Sequence, residues 1–140
     1  MRQAHFTHEV VEFIPEKLDD GKLYVSYKYG TAVHKCACGC GEEVVTPLNP
    51  TDWSVRIDVS GATLRPSIGN WSFACQSHYF IRGGRVVWAG RMTKQQIERG
   101  RAHDREVKDV YFAEVNHAKS LPSPSLIRTI WNAMKRWWNA

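Results

Sequence analysis

The sequence lacks any run of about 18 apolar residues, so nothing in it suits a membrane-crossing helix. Met1-Arg2-Gln3-Ala4-His5 opens into polar sequence rather than the apolar stretch of a signal peptide, and the expected compartment is the cytoplasm. Internal repeats and low-complexity tracts are missing too. There is no H-E-x-x-H, no phosphate-cradling glycine loop and no G-x-S-x-G elbow, which removes three common enzyme signatures. The H-x-E and P-C-x-x-C pair of the zinc deaminases is also absent. What remains is 140 residues, 43% hydrophobic and 24% charged, the balance of an ordinary soluble domain with a short appendage.

Charge is unevenly placed. Residues 1–90 hold nine Lys/Arg and nine Asp/Glu, whereas residues 91–140 hold ten and five, so the whole net charge of +5 belongs to the last third. Nucleic acid is not the expected partner, because its binders carry a denser basic stripe with stacking aromatics. A membrane surface or an acidic protein suits this excess equally well.

Cys36, Cys38, Cys40 and Cys75 are the four cysteines, three of them within five residues. Alternate residues make poor disulfide partners, and cytoplasmic thiols stay reduced. The crowding therefore points to a metal, with zinc as the expected ion and Gly39 and Gly41 supplying the tight turn around it. Four thiolates would close the site and make it structural. His34 and His78 are rival ligands, the latter through the C-x2-H spacing of Cys75-Gln76-Ser77-His78. Three ligands plus water would instead suit a hydrolytic metal.

Up to about residue 90 the pattern is mostly β. A short apolar run spans His8 to Ile14, and Lys22 to Tyr29 alternates through Leu23, Val25, Tyr27 and Tyr29. Glu43 to Thr46 extends out of the cysteine turn, and Trp53 to Val59 alternates again. Ala62 to Leu64 leads into Arg65–Trp71, which reads as a loop marked by Pro and Gly. Ser72 to Ile81 reads as a strand, Gly83-Gly84 as a hairpin turn and Arg85 to Ala89 as its partner.

Beyond residue 90 the chain turns helical. Thr93 and Gln96 form a capping box ahead of a solvated helix over Lys94 to Lys108, weakened at Gly100. Ser120 to Ser125 reads as a linker, with Ser123 and Pro124 suited to the cap and first turn of a last helix. Ile127, Ile130, Trp131, Met134, Trp137 and Trp138 share one broad face of it, opposite Arg128, Asn132, Lys135 and Arg136. Such a helix suits a membrane interface, a partner groove or its own domain, and apolar burial rewards each alike.

Reactive side chains concentrate between Leu64 and Ile81. Ser67 sits in a constrained Pro-Ser-Ile-Gly-Asn turn ahead of His78, the minimum equipment for acyl transfer, with the Ile68 and Gly69 amides as oxyanion donors. Ser77 is the second candidate nucleophile. On a regular strand, however, Ser77 and His78 point to opposite faces, which leaves Ser77 with Cys75 on the metal side.

The segments His34-Lys35-Cys36-Ala37-Cys38-Gly39-Cys40-Gly41, Thr46-Pro47-Leu48, Leu64-Arg65-Pro66-Ser67-Ile68-Gly69-Asn70-Trp71 and Cys75-Gln76-Ser77-His78-Tyr79-Phe80-Ile81, with Trp53 and Trp88, resemble a small bacterial family catalogued as a domain of unknown function. Its members are encoded beside ubiquitin-like proteins and E1- and E2-like enzymes. The resemblance covers residues 5–90. It implies a zinc-containing domain and a deubiquitinase-like serine peptidase, with the zinc role on the four cysteines and the hydrolytic roles on Ser67 and His78. The expected architecture is α+β: a small β-rich, zinc-stabilised domain over residues 1–118, then a linker and amphipathic helix over 119–140. The expected function is a peptidase or isopeptidase that processes or deconjugates a ubiquitin-like protein, with E1- and E2-like enzymes as further partners and peripheral membrane contact through the last helix. Two alternatives stand beside it: a non-catalytic zinc-binding interaction module, and a zinc-dependent metallo-hydrolase with His78 as ligand.

Overall fold

A computed structural model describes residues 1–138; Asn139 and Ala140, the end of the expected C-terminal segment, lie outside the described residues. The architecture is α+β, two four-stranded sheets followed by helices. The first sheet holds β1 (Thr7–Val10), β2 (Lys22–Ser26), β3 (Thr31–Lys35) and β4 (Glu43–Pro47) in that order. Its β1–β2 pair is parallel and the rest antiparallel. The second is an antiparallel meander of β5 (Ser54–Asp58), β6 (Gly61–Gly69), β7 (His78–Arg82) and β8 (Arg85–Trp88). One apolar cluster draws on both sheets, with Leu23, Val25 and Ala32 from the first and Leu64, Ile68, Tyr79 and Ile81 from the second.

Three expectations within the β region change. β2 does not alternate to Tyr29: it ends at Ser26 and is buried on both faces, because Tyr24 packs with Leu18 and Val33 in a second small cluster. Tyr27 and Tyr29 lie exposed beyond it. Arg65–Trp71 is not a loop throughout, since β6 continues through Pro66 to Gly69. The proline is tolerated because its missing N–H falls where the β6–β7 register shifts, between Leu64 and Ile68. Finally, Ser72–Ile81 is not one strand. Phe73 N–H donates to Asn70 O at 3.1 Å and Gln76 N–H to Phe73 O at 3.1 Å, so two turns occupy this stretch and β7 starts only at His78. Gln76 takes a left-handed φ of 45° to leave them.

The capping box forms as expected. Thr93 N–H donates to Gln96 Oε1 at 2.8 Å, and Gln96 N–H to Thr93 Oγ1 at 3.2 Å. Helix α1 then runs Lys94–Ser120, past the expected end at Lys108 and through Gly100, because no proline or cap interrupts it earlier. Helix α2 (Pro124–Trp138) starts at a Ser123 hydroxyl that accepts from Leu126 N–H at 3.2 Å. The chain forms two compact units, residues 1–100 and the residues from 101 on. Among the described residues no helix is long and apolar enough to cross a membrane.

Candidate functional site

The cysteine turn closes the β3–β4 hairpin. Cys36 N–H donates to Glu42 O at 2.8 Å and Gly39 N–H to Cys36 O at 3.1 Å. Gly39 has φ +89° and lies against the Met1 backbone, so no side chain fits there. This turn meets the β6–β7 turns, where Cys75 sits. The four sulfur atoms of Cys36, Cys38, Cys40 and Cys75 all lie within 4.8 Å of one another, and they form the one such cluster among the described residues. Their closer pairs are Cys36–Cys38 at 3.5 Å, Cys36–Cys75 at 3.9 Å and Cys40–Cys75 at 4.0 Å. Four sulfurs at 2.3 Å from a tetrahedral zinc would stand about 3.8 Å apart, so the cluster has the size such an ion requires. The four cysteines can hold a metal ion.

Polar neighbours support the cluster. Ser77, buried, places its hydroxyl 3.0 Å from Cys36 Sγ, and Asn70 Nδ2 donates to that hydroxyl at 2.9 Å. Burial raises the Cys36 thiol and pushes Cys38 up to about 12. At Cys75 burial acts in the same direction, but hydrogen bonds from the Ser77 side chain and backbone, and then from the neighbouring thiols, outweigh it and bring the group down to about 7. Cys75 therefore gives up its proton more readily than Cys36 or Cys38, and a bound cation would draw those thiols after it.

Neither rival histidine joins the sulfurs. His34 is fully buried, which drives its pKa down to about 3, and its Nε2 lies 2.8 Å from the Tyr79 hydroxyl. That hydroxyl also accepts from Ala37 N–H at 3.3 Å, tying the cysteine turn to β7.

His78 faces the other way. Its Nε2 lies 2.9 Å from Ser67 Oγ, and its Nδ1 lies 3.0 Å from the Gly90 carbonyl oxygen. A carbonyl only accepts, so Nδ1 carries a proton, and in the neutral ring Nε2 then offers its lone pair to the serine hydroxyl. The register delivers this pairing: Gly69 stands opposite His78, which brings the adjoining Ser67 and His78 to one face of the sheet. Trp71 packs on the imidazole with ring centroids 5.0 Å apart. It reaches that position over Gly69, where a Cβ would fall on the indole.

The structure thus separates the two candidate serines, Ser77 among the thiols and Ser67 on the imidazole. Three contributors carried no sequence signal as such. Gly90 acts through a backbone oxygen, Asn70 reaches Ser77 across a turn, and Tyr79 works through a hydroxyl buried in the core. A serine hydroxyl held on an imidazole, itself held at its second nitrogen, is the arrangement used by serine hydrolases. A family model described as the bacterial ubiquitination-like system serine protease, BubE, matches residues 10–89. The chain belongs to that family. No curated protein and no solved structure matches it.

Proposed function

We propose that the chain is a serine peptidase or isopeptidase that matures, or removes from its conjugates, a bacterial ubiquitin-like protein. The observation that carries this reading is the 2.9 Å contact between Ser67 Oγ and His78 Nε2, with Nδ1 held by Gly90 O. His78 takes the Ser67 proton as the hydroxyl attacks the carbonyl carbon of the scissile amide. It then returns that proton to the leaving amine, and water repeats the cycle on the acyl-serine ester. Alternate amides of a strand point opposite ways, and Asn70 N–H donates to Ser77 O at 2.8 Å, so the Gly69 N–H faces away from β7. It is the oxyanion donor in this reading.

Cys36, Cys38, Cys40 and Cys75 would hold a structural zinc that fixes the turn before β7. Both nitrogens of His78 are engaged elsewhere, which favours serine chemistry over a metallo-hydrolase with His78 as ligand. The partners in this reading are a ubiquitin-like protein and its conjugates, together with E1- and E2-like enzymes, in the cytoplasm. α2 supplies peripheral contact with an anionic membrane, because its exposed Trp131, Trp137 and Trp138 share the helix with Arg128, Lys135 and Arg136 and no acidic residue.

The test needs no substrate. A fluorophosphonate probe should add one covalent adduct, mapped by peptide mass to Ser67, and Ser67→Ala should abolish it while metal content and circular dichroism stay unchanged. No adduct on the wild-type protein, or an adduct on Ser77, overturns the assignment.

A further inference from the structure

The outer face of the second sheet is unusually one-signed. Alternation turns Val55, Leu64, Ile81 and Val86 towards the core and leaves Arg56, Arg65, Arg82 and Arg85 exposed, one on each strand. These are the only Lys or Arg residues between positions 51 and 90, where Asp52 and Asp58 are the only carboxylates. Asp58 is paired with Arg56 at 3.1 Å and accepts from Ser60 N–H, while Asp52 accepts from the Asn49 side-chain amide at 2.7 Å and keeps its charge in the wall of the cleft that Arg65 and Arg82 line. Arg82 and Arg85 stand directly opposite each other across the β7–β8 ladder. Like charges in that position destabilise a sheet, so the pairing is a standing cost unless an anion bridges it.

The face is shaped as well as charged. Two clefts, of ≈ 600 Å³ and ≈ 510 Å³, share Arg65 and Arg82 in their walls; the first adds Trp53, Pro66 and Phe80. A chain of side-chain contacts on the same face of β7 leads from the arginines to Ser67. The Arg82 guanidinium lies 4.3 Å over the Phe80 ring, the Phe80 and His78 rings are 6.3 Å apart, and His78 holds Ser67. Four strands span about 14 Å at 4.8 Å spacing, the reach of four or five residues of extended chain. We propose that this arginine face seats an acidic polypeptide segment adjoining the scissile bond, so that carboxylates on Arg65, Arg82 and Arg85 set the substrate's register on Ser67. The proposal rests on the serine peptidase reading above and adds the class of sequence which that site accepts. Continuity with Ser67 favours a peptide over a nucleic acid, whose phosphates would need no link to the serine.

Fluorescence anisotropy on the full chain carrying Ser67→Ala tests it, with fluorescein-labelled hexaglutamate, hexaglutamine and a thymidine dodecamer as probes. Hexaglutamate should bind at least about tenfold more tightly than either other probe, and more weakly as salt rises. Arg82→Glu or Arg65→Glu should each weaken it about tenfold, whereas Arg101→Glu, on α1, should leave it unchanged. Equal binding of hexaglutamine, equal loss with Arg101→Glu, or tighter binding of the oligonucleotide overturns the proposal. Wild-type labelling by the fluorophosphonate is read in parallel. Labelling without peptide preference sinks the groove alone, and peptide preference without labelling sinks the peptidase reading and with it the groove's role in register.

Discussion

Ser77 and His78 are neighbours in sequence yet face opposite ways: Ser77, just before β7, lies against Cys36 Sγ, and His78, the first residue of β7, lies on Ser67. That division was legible from the sequence. The contact that sets Ser67, already the first candidate, on His78 was not, since it depends on β6 lying beside β7 in a register that neither residue's local pattern sets. Ser77 supports the thiols instead, with its hydroxyl against Cys36 Sγ and itself held by Asn70. Outer-shell hydrogen bonds of this kind commonly carry ten- to hundredfold in metal affinity. Ser77→Ala should therefore weaken zinc binding by about tenfold or more in competition with a chromophoric chelator. With zinc saturating, the same variant should still take the fluorophosphonate adduct at Ser67. Unchanged affinity would remove the supporting role, and loss of the adduct under saturation would return Ser77 to the reaction itself.

Elements with strong local chemistry were readable, and those shaped by distant neighbours were not. Gly83 and Gly84, both at positive φ, make the β7–β8 turn expected of them, and Thr93 and Gln96 cap α1 as their spacing requires. β2 misled because its second face meets Leu18 and Val33 rather than water. β6 misled because Pro66 looked like a breaker, although the register shift there leaves no ladder bond for it to lose. The amphipathic pattern of α2 was plain, and its apolar side is exposed, Trp137 at 82% and Trp138 at 85%. Tryptophans beside arginine and lysine suit the headgroup region of an anionic bilayer. Full-length protein should co-sediment with phosphatidylglycerol-containing vesicles, and replacing Trp131, Trp137 and Trp138 together by serine should lower the partition coefficient about tenfold. Equal partition of the variant would show that another surface, such as the arginine face, holds the lipid.

Across the first unit, the cysteine cluster ties the two sheets together: Cys36, Cys38 and Cys40 follow β3, and Cys75 precedes β7 by three residues. The same short segment that contributes Cys75 therefore places His78 on Ser67, so the cysteine cluster, the sheet packing and the Ser67–His78 pair are linked through one stretch of chain. Structural zinc contributes roughly 10–16 kcal/mol of apparent binding free energy in small zinc-dependent peptides. A whole domain is stable by only about 5–15 kcal/mol, so stripping the proposed zinc should unfold this one rather than loosen a single turn. Chelator titrations followed by near-ultraviolet circular dichroism and by Ser67 labelling should then share a midpoint. Binding must also displace thiol protons, above all from Cys38 at about 12, so acid should move that midpoint to lower chelator concentration. A metal taking part in the reaction predicts a different curve, with labelling or turnover lost while the dichroism still reports a packed core. Coincident curves that shift together with pH would make the ion a clamp between sheets, and separated curves would return the metallo-hydrolase to first place.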